Sequence, residues 1–258
     1  MNRFVGELKV DPSLEFQRKR ILRSAWAFVT QRVERHDAAC LLPLGTGRPI
    51  VGDLVLARVN VIGHHTRLHL INGRKQLLFV GDEVVVVYGN RYASSQFEAV
   101  VPQTFGPCHL VASGGMASRA LSWHDRLIKG PTHITPLGLV GDIHGTPLNL
   151  KRYALEERAV TRSAKVIAIL GTSMDAGKTQ TACYFARGLI LAGLKVGFVK
   201  VTGTGAADDM GWLEDAGLIR FMTLPTVDFH QPICRVVKSL NKHWQRYVRI
   251  RVIVMSRW

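Results

Sequence analysis

Long apolar runs, paired cysteines and, toward the end of the chain, acidic residues are scarce or absent in this sequence of 258 residues. No stretch approaches the roughly 18 apolar residues of a transmembrane helix, and residues 1–9 carry no hydrophobic core of a secretion signal. The four cysteines lie far apart without a CxxC pair, which argues against a zinc site and a disulfide framework. We therefore expect a cytoplasmic globular protein with reduced cysteines.

The last acidic residue of the sequence is Asp228. The sequence has 34 Lys and Arg against 19 Asp and Glu, a net charge of +15, and 7 of the basic residues follow Asp228. Such a charge is typical of proteins that bind nucleic acid or anionic membranes, but its uneven distribution indicates a moderately basic body and a basic tail. As a helix, the tail would present one apolar stripe: Val236, Leu240, Trp244 and Val248. A truncation or a change of reading frame would also explain its composition.

The spacing of apolar residues divides the chain into five segments. Residues 1–37 predict an N-terminal helix, and short β-branched runs separated by turns predict a β-rich barrel or sandwich-like domain over 38–150. Residues 151–164 predict a linker helix. A strand–helix–strand pattern follows in 165–228, and the basic tail occupies 229–258.

One glycine-containing loop lies between a buried strand and an amphipathic helix. It reads Gly-Thr-Ser-Met-Asp-Ala-Gly-Lys-Thr over residues 171–179, a context typical of a Walker A loop, in which backbone N–H groups surround a phosphate. We predict that Lys178 contacts the β- and γ-phosphates and that the Thr179 hydroxyl binds Mg²⁺. The predicted nucleotide-binding residues are Gly171, Thr172, Ser173, Met174, Asp175, Ala176, Gly177, Lys178, Thr179 and Gln180.

The loop differs from the common pattern by one residue. Five residues separate Gly171 and Gly177, where GxxxxGK[ST] has four. A loop that begins Gly-Thr and carries an acid two residues before the second glycine resembles the dethiobiotin synthetase group of P-loop proteins. Residues 198–205, Phe-Val-Lys-Val-Thr-Gly-Thr-Gly, are similar to that group's Lys-Pro-Val-x-(Ser/Thr)-Gly segment, with Val201 at the position of the proline.

The resemblance covers about residues 163–216 and implies roles for further side chains. Lys200 would join Lys178 as a catalytic residue, and Thr202 or Thr204 would face the phosphate or the substrate. Asp208 or Asp209 would help Thr179 to hold Mg²⁺, making the predicted metal ligands Thr179, Asp208 and Asp209.

These patterns predict an α/β fold: a P-loop NTPase βαβ domain preceded by the β-rich barrel or sandwich-like domain. Only about 95 residues follow position 164, fewer than such a domain usually has. Either the N-terminal region completes the sheet or the domain is shortened, and we expect the shortened form.

The expected function is binding of ATP with Mg²⁺, and the resemblance implies phosphoryl transfer or ligase-type activation of a small carboxylate-like substrate. Whether the chain is an enzyme stays open, because the strand-like run 251–255 ends without the acid that a later strand delivers in such enzymes. The alternatives are a nucleotide-binding module without turnover and, less favoured, a basic nucleic-acid-binding protein. The acceptor stays unidentified, and a homodimer is compatible with the sequence.

A second motif, in residues 141–145, has the wrong surroundings for its chemistry. Its sequence, Gly-Asp-Ile-His-Gly, matches the first metal-binding motif of metallophosphatases, but neither Gly-Asp-x-x-Asp nor Gly-Asn-His follows it. A hairpin turn explains it better.

Overall fold

The structure is a computed structural model, and it describes residues 12–154, 165–171, 176–200, 207–218, 221–223 and 250–256. Its α-helices are α1 (Pro12–Arg23), α2 (Lys178–Leu191) and α3 (Asp208–Asp215), and short 3-10 helices cover Phe28–Thr30, Arg35–Asp37 and Leu150–Tyr153. The strands of the first part are β1 (Ala25–Trp26), β2 (Cys40–Leu42), β3 (Leu54–Val61), β4 (Arg67–His69), β5 (Lys75–Leu77), β6 (Glu83–Tyr88), β7 (Arg91–Tyr92), β8 (Phe97–Val100), β9 (Cys108–Ala112), β10 (Met116–Trp123) and β11 (Thr132–Gly141). Those of the second part are β12 (Lys165–Gly171), β13 (Val196–Lys200), β14 (Phe221–Thr223) and β15 (Ile250–Ser256).

A nine-stranded mixed sheet forms the first part. Its pairings follow the order β1-β6-β3-β11-β9-β10-β8-β7, with β2 added to β11 and a further pairing between β6 and β10. That last pairing closes a circuit of five strands, and both β1 and β10 run parallel to β6. The β-branched residues of β3 and β6 are almost all buried. Because neighbouring residues of a strand point to opposite faces, both faces of these two strands are covered by the main core. The separate hairpin β4–β5 packs Leu68 into the same core.

The predicted α/β class, with a P-loop NTPase βαβ domain, is wrong for this chain. Of the residues that the structure describes, 38% lie in strands and 23% in helices, and the nine-stranded sheet dominates. The physical reason is that successive strands between 40 and 141 are joined by turns and not by crossover helices. Neighbours of this kind extend a sheet without the helices that an α/β fold requires.

The first helix is shorter than the predicted N-terminal helix of residues 1–37, since α1 ends at Arg23. Four consecutive residues that follow, Trp26 to Val29, are all buried, and β1 pairs with β6. A helix on the surface buries only one stripe, so this continuously buried run does not prolong α1. It enters the core as β1 followed by a 3-10 helix, Phe28–Thr30. The Trp26 indole N–H donates to the Ile21 carbonyl at 2.9 Å and holds this change of direction.

A smaller sheet of four parallel strands forms the second part, in the order β12-β15-β13-β14. Helix α2 connects β12 to β13, and its buried residues Ala182 and Ala186 pack with Phe198 and Leu213. Strand β15 belongs to the predicted basic tail, yet it lies in the middle of this sheet. The predicted apolar stripe of the tail, and residues 155–164 of the predicted linker helix, lie outside the described residues. Within the described ranges, no helix is long and apolar enough to cross a membrane.

Gly188 lies inside α2 with open space around it, since a Cβ added there would meet nothing within 4 Å. We expect Gly188→Ala to raise the free energy of unfolding by about 0.8–1 kcal/mol, because alanine loses less backbone entropy in a helix interior. Urea denaturation of both proteins would measure the difference, and a loss of stability would contradict this description of α2.

Glu83 joins α1 to the nine-stranded sheet. Its carboxylate accepts from Arg20 Nε at 2.8 Å and Nη2 at 2.6 Å, and from Arg58 at 3.1 Å. The Arg20 hydrogen bonds, opposed by partial burial and supported by Arg58, lower the pKa of Glu83. The ion pair therefore stabilises the fold at neutral pH, and this stabilisation is lost as the pH falls through that lowered pKa.

We expect Glu83→Gln to lower the free energy of unfolding at pH 7 by about 1–2 kcal/mol, a moderate value because the pair is partly exposed. The difference from wild type should shrink at pH 3. Urea denaturation at both pH values checks this, with the exposed Glu214→Gln as control. An equal loss at both pH values would contradict the role of the charge.

Candidate functional site

The predicted phosphate loop connects the end of β12 to the start of α2. The structure describes Gly171 and residues 176–180, whereas Thr172, Ser173, Met174 and Asp175 lie outside the described residues. Gly177 has φ +73°, a left-handed conformation that glycine adopts without steric cost, and the helix begins at the next residue. The backbone therefore turns directly from the loop into α2.

Lys178 is the first residue of α2, and its side chain is buried, with 7% exposure. Its aliphatic stem lies against Gly171, because a Cβ placed on that glycine would come within 2.6 Å of Lys178 Cγ and Cδ. Because Gly171 has no side chain, the Lys178 stem can pack directly against its backbone at the end of β12. The predicted glycine and the predicted lysine are in contact in the structure.

The start of α2 carries the other described residues of the predicted loop. Ala176, Gly177 and Gln180 are exposed, and Thr179 is half-buried beside Lys178. The first N–H groups of a helix have no partner within the helix, and together they carry a partial positive charge. A buried lysine residue, exposed small residues and a helix N-terminus together form a surface suited to an anion.

Lys200 lies at the same edge of the small sheet as Gly171. Both residues end parallel strands, and β15 separates those strands, with Ser256 opposite Gly171 and Val254 opposite Lys200. Two strand spacings amount to about 10 Å. The structure therefore places Lys200 at the sheet edge where β12 ends and the loop that precedes Lys178 begins, while Thr202 and Thr204 lie outside the described residues.

Asp208 contacts the first part of the chain. Its carboxylate forms an ion pair with Lys75 Nζ and lies 3.9 Å from His69 Nε2. The preceding backbone N–H, that of Ala207, donates to His69 Nδ1 at 3.1 Å. The side chain of Asp209 lies outside the described residues. In the part of the chain that the structure describes, no three His, Cys, Asp or Glu side chains are grouped to hold a metal ion.

His69 and Lys75 are site neighbours that the sequence patterns missed. They face each other across the β4–β5 hairpin, and 138 residues separate His69 from Ala207. Burial and the charge of Lys75 lower the pKa of His69, whereas Asp208 opposes this shift and burial dominates. No local sequence motif identifies His69 or Lys75. They contact α3 only because the first and second parts of the chain pack against each other.

Asp142 closes a hairpin turn, which confirms that interpretation of the Gly-Asp-Ile-His-Gly sequence. Its Oδ1 accepts from the N–H groups of His144 and Thr146 at 2.9 and 3.0 Å, and its Oδ2 accepts from Arg152 at 2.9 Å. The hydrogen bond from Thr146 is the largest cause that lowers the pKa of this carboxyl, and the bonds from His144 and Arg152 add to it. The carboxylate that the metallophosphatase motif would use for a metal is thus occupied by the turn.

Comparisons with protein families and with curated proteins identified no relative of this chain. No protein-family model matches the chain, and no curated protein matches it.

Proposed function

We propose that residues 171–180 bind the phosphates of a nucleoside triphosphate, with ATP as the first candidate. The observation that carries the proposal is the buried Lys178, whose stem crosses Gly171 at the positive end of α2. The ammonium group and the helix N-terminus carry charge of the same sign. A phosphate would stabilise both, because it accepts hydrogen bonds from backbone N–H groups and from the lysine at once.

The residues present fit a phosphate group. Gly171 provides a space that a Cβ would fill, the exposed Ala176 and Gly177 leave the backbone accessible, and Lys178 supplies the charge. Thr179, next to Lys178, would hold a Mg²⁺ ion that arrives with the nucleotide, since this ion takes few protein ligands and keeps several waters. When bound, Mg²⁺ neutralises charge on the β- and γ-phosphate oxygens. The carboxylate of Asp208 forms an ion pair with Lys75, so we assign Thr179, and not Asp208, as the protein ligand of Mg²⁺.

Binding without rapid turnover is the function that we favour. Strand β15 lies next to β12, and its residue opposite Gly171 is Ser256. Residues 250–256 include neither Asp nor Glu, although enzymes of phosphoryl transfer hold their metal with an acid near the phosphates. Phosphoryl transfer to a small carboxylate-like acceptor is the second candidate, and the position of Lys200 at the same sheet edge favours it.

The test is isothermal titration calorimetry of the wild-type protein with ATP and with AMP, together with a phosphate-release assay in Mg²⁺. We expect ATP to bind more tightly than AMP, because Lys178 and the helix N-terminus would contact the phosphates that AMP lacks. Equal affinities, or no binding of either nucleotide, would contradict the proposal. Phosphate release that depends on Mg²⁺ and on Lys178 would favour the second candidate.

A further inference from the structure

We propose that the cleft between α1 and the β4–β5 hairpin binds a small amphiphilic anion, that is, an apolar molecule that carries one acidic group. The cleft has a volume of about 760 Å³, which is in the range of small-molecule sites. All its lining residues belong to the first part of the chain, and none belongs to the predicted phosphate loop. This site is therefore independent of the nucleotide site proposed for residues 171–180.

Two walls enclose the cleft. One wall is the C-terminal half of α1 with β1, and the other is the turn of the β4–β5 hairpin with the start of β6. A backbone bridge between Ala27 and Leu70 joins the two walls, and the Ala27 N–H donates to the Val85 carbonyl of β6 at 3.0 Å. The hairpin turn is closed by the Gly73 N–H, which donates to the Leu70 carbonyl at 2.9 Å. Because backbone hydrogen bonds hold both walls, the cleft exists without a ligand.

The inner surface of the cleft is apolar. Trp26 is 3% exposed, and the other apolar residues of this surface are half-buried: Leu22, Ala25, Leu70 and Ile71. An apolar group that enters the cleft would displace water from these side chains, which is favourable. The inner surface therefore suits the apolar body of a ligand.

The two acidic residues of the cleft already have partners in the protein. The Glu83 carboxylate accepts from Arg20 at 2.6 Å and from Arg58 at 3.1 Å. Asp82 Oδ2 accepts from the Phe79 N–H at 2.9 Å and so closes a turn. Neither carboxylate is thus placed to attract a cationic ligand on its own.

Two arginines at the mouth of the cleft have no ion pair with an acid among the described residues. Arg35 lies over the Trp26 ring, with its guanidinium carbon 5.3 Å from the ring centroid, and donates to the Leu22 carbonyl. Arg23 is exposed at the end of α1, and within the described part of the chain it makes neither a hydrogen bond nor an ion pair. A guanidinium group binds carboxylates and phosphates through paired N–H donors. Arg23 is therefore the group that we assign to the acidic head of the ligand.

The side-chain amides of Asn72 and Gln76 add hydrogen-bond donors to the cleft. Asn72 Oδ1 accepts from the Arg74 N–H at 3.1 Å, and Gln76 Oε1 accepts from Arg74 Nη2 at 3.3 Å. Since both amide oxygens are used within the hairpin, the NH₂ groups are the part of each amide that can serve a ligand. Donors and a guanidinium group beside an apolar surface select a ligand with an acidic head and an apolar body.

The test uses a fluorescent anion, anilinonaphthalene sulfonate, whose emission rises in an apolar site. Phenylnaphthylamine has the same aromatic body without the sulfonate and is the uncharged counterpart. Both compounds are titrated into the full chain as wild type, Arg23→Ala and Gln76→Met. Arg18→Ala is the matched control, because Arg18 is an exposed arginine of the same helix that does not line the cleft.

We expect the wild-type protein to bind the sulfonate about tenfold more tightly than phenylnaphthylamine, because only the sulfonate can bind the guanidinium group. Arg23→Ala should weaken binding of the sulfonate about fivefold to tenfold, a moderate effect because the arginine is exposed. Gln76→Met, which keeps the length of the side chain, should weaken it about twofold to threefold. Arg18→Ala should match wild type, and phenylnaphthylamine should bind wild type and Arg23→Ala equally.

Competition with decanoate and with decyl phosphate distinguishes a carboxylate head from a phosphate head, since the better match displaces the sulfonate at the lower concentration. Displacement by neither compound would overturn the proposal. Equal affinity of wild type and Arg23→Ala for the sulfonate, or an equal loss in Arg23→Ala and Arg18→Ala, would also overturn it. If Arg23→Ala does not fold, Gln76→Met decides the question, and unchanged binding in that variant would then contradict the proposal.

Discussion

Lys178→Ala should lower the affinity for ATP by about thirtyfold or more. Loss of one partner of a buried charged pair costs about 2–5 kcal/mol, and each 1.4 kcal/mol corresponds to a tenfold change in affinity. Lys178 is buried at the start of α2, so water cannot fully replace its ammonium group when phosphate binds. The same reasoning predicts that AMP binding changes much less, because AMP lacks the phosphates that the lysine would contact.

The matched control for this substitution is Lys195→Ala. Lys195 is an exposed lysine beyond the C-terminal end of α2, and its removal changes the net charge equally. Titration of both variants and the wild type with ATP, in the same buffer and salt, separates a specific contact from general electrostatic attraction. Equal affinities in wild type and Lys178→Ala would show that the phosphates bind elsewhere.

Gly171→Ala should weaken ATP binding about tenfold or more while leaving the fold intact. The new Cβ would lie 2.6 Å from Lys178 Cγ and Cδ, so the lysine stem must move. The next contact, with Ala176 Cβ at 3.4 Å, is an ordinary one. Since the crowded atoms belong to a flexible side chain, we expect the free energy of unfolding to change by less than about 1 kcal/mol, and the cost to fall on the position of the ammonium group.

Gly188→Ala is the control for Gly171→Ala, because it makes the same chemical change in open space within α2, away from Lys178. Calorimetry with ATP and urea denaturation should be run on both variants. ATP affinity should fall only in Gly171→Ala, and stability should rise only in Gly188→Ala. Unchanged ATP binding in Gly171→Ala would contradict the assignment of the Lys178 stem to the phosphate site.

Local features of the chain could be predicted from the sequence. The apolar run that begins at Lys165 and the Gly-Lys-Thr at residues 177–179 indicate a strand, a turn and a helix start, and β12 and α2 lie there. Asp142 and Gly145 predict a turn, which the hydrogen bonds of Asp142 close. Each of these features depends on neighbours within a few residues, which is the range over which backbone preferences act.

Features that depend on distant pairing could not be predicted in this way. The nine-stranded sheet decides the fold class, and the parallel contacts of β6 with β1 and β10, which make this sheet mixed, leave no local pattern. The first helix ends early because residues 26–29 enter the core. The contact of His69 with Ala207 joins residues 138 positions apart. In each case the structure follows tertiary packing and not the local propensity of the residues.

The charge pattern of the basic tail also failed to predict a distant pairing. Composition separates residues 229–258 from the rest of the chain, but β15 pairs with both β12 and β13. Residues 250–256 of this segment are thus part of the sheet that leads into the predicted phosphate loop. The proposal of nucleic-acid binding rests on net charge alone, and a phosphate site at Lys178 does not require it.

The most direct test of the phosphate site is hydrogen exchange of the wild-type protein with and without ATP. The method reports where a ligand binds without any substitution that could disturb the fold. We predict slower exchange in peptides covering residues 165–181 when ATP is present, and much less slowing with AMP. Slower exchange confined to other segments, or none at saturating ATP, would contradict the assignment of the phosphate site to residues 171–180.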